Sequence, residues 1–163
     1  MRTPLLLVLP ITLALPALAD APHSARHGSH AAMHAAQPAR PDTRETVVFP
    51  PALKAETLAN MRDHLLAIQE ITAYLADKQF DAAADLAETR LGMSSLQRHG
   101  AHEVARHMPM GMRQIGHGMH QAASRFATAA RDAGVTGDTG AALRAFAGMQ
   151  SSCVACHAAY QLQ

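Results

Sequence analysis

The sequence predicts an all-α fold, specifically an antiparallel four-helix bundle. Apolar residues recur every three or four positions along four segments, and no segment alternates with period two for long enough to be a strand. Aromatic residues make up only 4% of the chain and Trp is absent, so the core must be built from Ala, Leu, Ile and Met. Such a core suits close-packed helices and is poor in residues that favour strands.

The first helix is predicted to begin after Pro50 and Pro51, because proline at a helix start wastes no backbone donor. It should end near Lys78. Its apolar stripe consists of Leu58, Met61, Leu65, Ile68, Ile71 and Leu75.

A second helix is expected from Phe80, with Asp81 as its N-cap. Its apolar positions are Ala84, Leu86, Ala87, Leu91 and Leu96. A break at Pro109 separates it from a third helix, which should stop at Gly134 and which carries Met112, Ile115, Met119, Ala122, Phe126 and Ala130.

The fourth helix follows a turn rich in Gly and Asp at positions 134–140. One of its faces carries Leu143, Phe146, Met149, Cys153 and Tyr160. Four amphipathic helices joined by short breaks indicate a bundle domain over residues 50–163.

The N-terminal region predicts export. Arg2 precedes an apolar run from Leu5 to Leu15, and the small residues Ala17 and Ala19 are typical of a signal-peptide cleavage site, so residues 1–19 are assigned as a signal peptide and the protein as periplasmic. Pro10 and Pro16 interrupt the run, which is shorter than a membrane span needs. Residues 20–49, rich in His, Ala and Pro, are predicted to be a mobile leader.

The segment from Cys153 to His157 reads Cys-Val-Ala-Cys-His, the spacing of c-type haem attachment. Two thiols three positions apart on a helix can each add to one vinyl group of a single porphyrin. The His after the second Cys can then serve as the proximal iron ligand. The predicted cofactor is therefore one covalently bound haem c near the C-terminus, with Cys153 and Cys156 as tethers and His157 on the iron.

Two other sites use paired cysteines. A thioredoxin-like redox disulfide expects a βαβ context, which the pattern lacks. A structural zinc site needs four ligands, and no second Cys pair exists.

The chain resembles the class II c-type cytochromes, the group of cytochrome c′ and its low-spin relatives. The resemblance lies in the motif near the C-terminus, which consists of Cys153, Cys156, His157 and Tyr160. The resemblance covers roughly residues 51–163. It implies a four-helix bundle with a single haem, and antiparallel homodimers are common in the family. Gln161 stands where the family usually has Arg or Lys.

The resemblance also assigns the other side of the haem to the first helix. By this correspondence Lys54 lies near the haem edge or its propionates, and Leu58 covers the distal face of a five-coordinate, high-spin iron. Met61, one turn from Leu58, is an alternative that would supply a thioether as sixth ligand, and His64 is a third.

The eleven histidines form two further groups. Those of the leader, spaced four, three and four apart, would align on one helical face and could bind copper, zinc or nickel: His23, His27, His30 and His34. The second group surrounds Pro109 and could bind copper, although core packing also explains part of it: His99, His102, His107, Met108, Met110, Met112, His117, Met119 and His120.

Three functions are compatible with these features. The first is a small electron carrier that meets redox partner proteins. The second is a five-coordinate haem protein that binds nitric oxide or carbon monoxide, and the third is a periplasmic metal-handling protein. No hydrolase or phosphate-binding pattern is present, so a non-enzymatic role is predicted, and a net charge of +1 argues against nucleic-acid binding.

Overall fold

The computed structural model describes residues 41–163, and helices dominate this part of the chain. The all-α class is therefore confirmed for the described residues. This described part contains five α-helices: α1 (Pro51–Ala76), α2 (Phe80–Arg90), α3 (Ala101–His107), α4 (Met110–Thr136) and α5 (Thr139–Ala159). A 3₁₀ turn occupies Met93–Ser95, and two short strands are β1 (Glu45–Val47) and β2 (Tyr160–Leu162). The predicted signal peptide and most of the predicted leader lie outside the described residues.

The second predicted helix is shorter than expected. It ends at Arg90, and the chain then passes through Gly92 in an extended conformation before the 3₁₀ turn. Gly100 adopts the left-handed conformation (φ 56°) immediately before α3, which is where a residue without a Cβ costs least. The glycines thus divide one predicted helix into α2, a connecting segment and α3.

The main core lies where the C-terminal half of α1 meets α2, α4 and α5. Small alanines allow close approach of these helices, and the large side chains that fill the space between them include Ile71, Leu91, Phe126, Phe146 and Met149. Consecutive helices pack against each other in the pairs α1 with α2 and α4 with α5, while α2 also packs on α4. The predicted stripe of α4 from Met112 to Ala130 is buried as expected, except that Ile115 is only half-buried.

The predicted stripe of α1 faces the core only in its second half. Ile71 and Leu75 are buried, whereas Leu58 and Leu65 are 36% and 67% exposed. Arg90 joins α2 to α1 here: its guanidinium binds the Asp63 carboxylate and also donates to Glu70 at 2.6 Å. This ion-pair network crosses the helix pair and holds α1 in register against the end of α2.

The boundary of the predicted leader is corrected by the β-structure. Residues 45–47 pair in parallel with β2, with Glu45 opposite Tyr160 and Val47 opposite Leu162. Val47 and Phe49 are buried in a second small core with Val104 and Met112. Because strands of three residues show almost no period-two signal, the sequence pattern could not reveal them. The compact unit therefore begins at Asp42, not at residue 50.

Among residues 41–163, no helix combines the length and apolar character needed to cross a membrane.

Candidate haem-binding site

A cavity of about 420 Å³ lies beside the C-terminal turns of α5. Its wall is formed by α1, the segment between α2 and α3, α3 itself, α4 and α5. Much of the wall is apolar, with Leu96, Val104, Met112, Ile115 and Met119 among its side chains. A concave, largely apolar space of this size with a few polar groups is typical of a cofactor or ligand site.

All three residues of the attachment motif line this cavity. Cys153 and Cys156 lie nearly one helical turn apart on α5, are half-buried and are both free thiols. Burial raises the pKa of each thiol above its ordinary value, so both are protonated at neutral pH. His157 stands beside them with an exposed side chain, and α5 therefore brings two thiols and one imidazole to a single wall.

The residues after the motif fix the end of α5. Tyr160 begins β2 and packs against α4 so closely that a Cβ on Gly111 would lie 2.5 Å from the tyrosine hydroxyl oxygen. Gln161 is held by the first strand, since its side-chain amide donates to the Thr46 hydroxyl at 3.1 Å. The same side chain accepts a hydrogen bond from Arg44 at 3.4 Å. The position where the resemblance expects a cation thus anchors the two-stranded sheet.

The face that α1 turns to the cavity differs from the one the resemblance assigns. Thr57, Asn60, Met61 and His64 line the cavity, at the spacing of one helical face. Leu58, expected over the distal face, is one position away from that face and partly exposed. Lys54 is half-buried and also lies outside the cavity wall. Of the four first-helix candidates, the structure brings Met61 and His64 to the motif.

Three histidine rings form a cluster in the cavity wall. His64 on α1 and His99 in the connecting segment meet edge to face with ring centroids 4.8 Å apart. His120 on α4 lies 6.3 Å from His64 and 6.0 Å from His99 by the same measure. We call these three residues the histidine cluster.

The cluster is uncharged at neutral pH. The pKa of His64 is lowered to about 4, first by burial and then by the charge that the neighbouring His99 would carry. Burial also lowers the pKa of His99 and of His120. Neutral imidazoles keep a lone pair on one ring nitrogen, which is the form that binds transition metals.

The hydrogen bonds of the cluster are unequal. His120 Nδ1 lies 2.7 Å from the carbonyl oxygen of Leu91. By contrast, His64 Nε2 and His99 Nδ1 are buried and have no hydrogen-bond partner among the described residues. A buried polar atom without a partner costs about 1–3 kcal/mol, so such atoms are rare outside functional sites.

Most of the second His and Met group around Pro109 lies on the same cavity wall as the haem motif. His107 and Met110 are not part of that wall, and Met110 is exposed. Across residues 41–163, no three His, Cys, Asp or Glu side chains are arranged to hold a metal ion. The leader histidines predicted as a second metal site lie outside the described residues.

The sequence pattern predicts a possible copper site that includes His99 and His120, and it does not connect these residues with Cys153, Cys156 and His157. Their proximity depends on how the connecting segment folds over α4, and neither residue has a periodic signal of its own. The thiols, the imidazole and the apolar wall nevertheless fit a covalently attached haem. No family model, curated protein or solved structure matches this chain.

Proposed function

We propose that this protein is a periplasmic c-type cytochrome that carries electrons through one haem attached at Cys153 and Cys156. The observation that carries the proposal is the meeting of both free thiols and His157 on one wall of an apolar cavity. A zinc site or a redox disulfide would use the same cysteines without needing an apolar cavity beside them. An antiparallel four-helix bundle, as in class II cytochromes, is the architecture we propose for the long helices.

The residues divide the work of holding the cofactor. Cys153 and Cys156 would form the two thioethers, and His157 would supply the proximal nitrogen. The apolar side chains of α3 and α4 would exclude water from the porphyrin, and low polarity around iron raises its reduction potential. Haem iron supplies the chemistry, a reversible one-electron change between the ferric and ferrous states.

Electron transfer also requires that the cofactor approach the surface. Val154, within the motif, is 68% exposed, and the side chain of His157 is exposed as well. The turn of α5 that would hold the porphyrin therefore borders solvent, where a redox partner protein could dock near the cofactor edge. Gas binding, the alternative function, would instead require a vacant iron coordination site.

The test is expression of the full chain in a bacterium with a cytochrome c maturation system. We expect a protein whose mass is increased by one haem and whose pyridine haemochrome spectrum is that of two thioether links. Cys153→Ser or Cys156→Ser should shift this spectrum to that of a single link, and the double variant should lose covalent haem. Met110→Ala, an exposed change outside the cavity, is the matched control and should load haem normally.

Absence of covalent haem from the wild-type chain, or its retention in the double cysteine variant, would refute the proposal. His157→Ala separates tethering from ligation: the haem should remain attached while its absorption spectrum changes. An unchanged spectrum would exclude His157 as the proximal ligand.

A further inference from the structure

His120 is held in a single orientation by the backbone of another helix. Its Nδ1 approaches the Leu91 carbonyl oxygen to 2.7 Å, and Leu91 is the C-terminal cap of α2. Because a carbonyl can only accept a hydrogen bond, Nδ1 must carry the proton. The lone pair of the neutral ring is therefore on Nε2.

This arrangement is the one found behind metal-bound histidines. A ligating imidazole usually donates its other N–H to a backbone carbonyl or a carboxylate, which fixes the tautomer and the ring orientation. His120 is itself part of the cavity wall, as is His157. Burial also lowers the pKa of His120, which keeps the ring neutral at pH 7.

We propose that His120 is the sixth ligand of the haem iron, binding through Nε2 on the side opposite His157. The inference rests on the proposed function and makes it more specific: the haem would be six-coordinate and low-spin with two histidine ligands. It replaces the three first-helix alternatives: the vacant site beneath Leu58, the thioether of Met61 and the imidazole of His64.

The other two members of the histidine cluster are less suited to this role. His64 Nε2 is shielded from solvent, so it does not face the open cavity and would have to move to meet iron. His99 Nδ1 is buried and has no hydrogen-bond partner within residues 41–163, so no second hydrogen bond fixes the tautomer and orientation of that ring. Within the part of the chain that the structure describes, neither ring has a hydrogen bond to a backbone carbonyl like that of His120.

Met61 lines the cavity and is the strongest competitor. Met61 is half-buried, however, and no hydrogen bond within residues 41–163 orients its sulfur. The ring of His120, by contrast, is already oriented in the folded protein by its hydrogen bond to the Leu91 carbonyl oxygen. Of these two residues, only His120 has a hydrogen bond that fixes the orientation of its donor atom.

A purely structural role for His120 must be separated from ligation. The last carbonyls of a helix lack partners within the helix, and a histidine side chain can cap them. His120 does this for Leu91, so loss of the ring could destabilise the protein without any haem involvement. His120→Asn separates the two roles, because an amide N–H can keep the hydrogen bond to Leu91 but does not normally ligate haem iron.

The experiment compares the haem-loaded wild type with His120→Asn, His120→Ala, Met61→Leu, His64→Asn and His99→Asn. Pyridine haemochrome assays first establish that each variant has one covalent haem, so failure of the proposed function is recognised separately. Absorption, electron paramagnetic resonance and near-infrared magnetic circular dichroism then identify the axial ligands. Carbon monoxide binding to the ferrous protein measures whether the sixth position is open.

We expect a low-spin wild type with the charge-transfer energy of two histidine ligands. His120→Asn should become high-spin and bind carbon monoxide rapidly, while its urea midpoint stays closer to the wild type than that of His120→Ala. Met61→Leu, His64→Asn and His99→Asn should remain low-spin. A high-spin wild type, a histidine–methionine band, or a low-spin His120→Asn variant would overturn the assignment even when covalent haem is present.

Discussion

Phe126 and Phe146 provide a direct test of the contact that positions the Cys153–His157 segment. Phe126 of α4 is 0% exposed, and its ring centroid lies 5.1 Å from that of Phe146 on α5. Phe146 precedes Cys153 by seven residues, which is about two helical turns. The pair therefore sets the separation of α4 and α5 just before the attachment site.

The expected magnitudes follow from burial and ring geometry. Phe126→Ala should lower the free energy of unfolding by about 3–5 kcal/mol, because a fully buried ring leaves a cavity. The tilted aromatic pair should contribute about 0.5–1.5 kcal/mol beyond area burial. Leucine at both positions preserves much of the apolar volume, so the coupling is best measured with Phe126→Leu, Phe146→Leu and the double variant.

Urea unfolding followed by circular dichroism gives the free energies of unfolding of the four proteins in this double-mutant cycle. The comparison requires that the free energy of unfolding depend on urea concentration with the same slope in all variants. Leu143→Ala, on the same helix as Phe146, is the control. Because Leu143 is 49% exposed, this substitution should lower the free energy of unfolding by less than about 0.5 kcal/mol. A Phe126→Ala cost no larger than this control would refute the packing described here. Zero coupling in the leucine cycle would show that the two rings do not interact.

Three further substitutions test other contacts. Arg90→Ala should lower the free energy of unfolding by urea by about 1–3 kcal/mol, because it removes the charged hydrogen bonds between α2 and α1. Arg90→Lys should restore only part of that stability, since lysine lacks the planar guanidinium group of arginine. Equal stability of the wild type and both variants would contradict the network. Gly111→Ala should lower the free energy of unfolding by about 1–3 kcal/mol, because the added Cβ would lie too close to the Tyr160 hydroxyl. Adding Tyr160→Phe should restore much of the lost stability, and no recovery would show that this hydroxyl is not the cause of the loss. Asp138→Ala should lower the free energy of unfolding by about 1 kcal/mol, because the Asp138 carboxylate accepts a hydrogen bond from the Ala141 N–H at 2.9 Å at the start of α5. Asp138→Asn should lower it less, and equal losses in the two variants would argue against a capping role.

The long helices could be predicted because their signals are local. Pro51 begins α1 as expected, and the apolar period identifies α4 and most of α5. The division of the second predicted helix depends on Gly92 and Gly100, whose backbone conformations the period does not encode. The strand at residues 45–47 gains its structure from β2, more than a hundred positions away, so no local pattern could predict it.

The site divides in the same way. Cys153, Cys156 and His157 are adjacent in sequence, and one helical turn is enough to bring them together. The face of α1 could not be predicted from apolar spacing, because the cavity is lined there by Thr57, Asn60 and His64 as well as by Met61. The helix face that lines a cofactor cavity need not be the most apolar face of its helix. For that reason the apolar stripe that includes Leu58 does not predict which residues of α1 line the cavity.

The two sides of the proposed haem would depend on different levels of structure. His157 and the two thiols belong to one helix, so they stay together as long as that turn of α5 is intact. His120 is oriented by Leu91, 29 positions earlier, and so depends on the packing of the end of α2 against α4. Local opening of the segment after α2 would release the distal nitrogen while the haem remained covalently attached. Axial ligation on that side would then report the packing of the fold, whereas attachment would report only the sequence of α5.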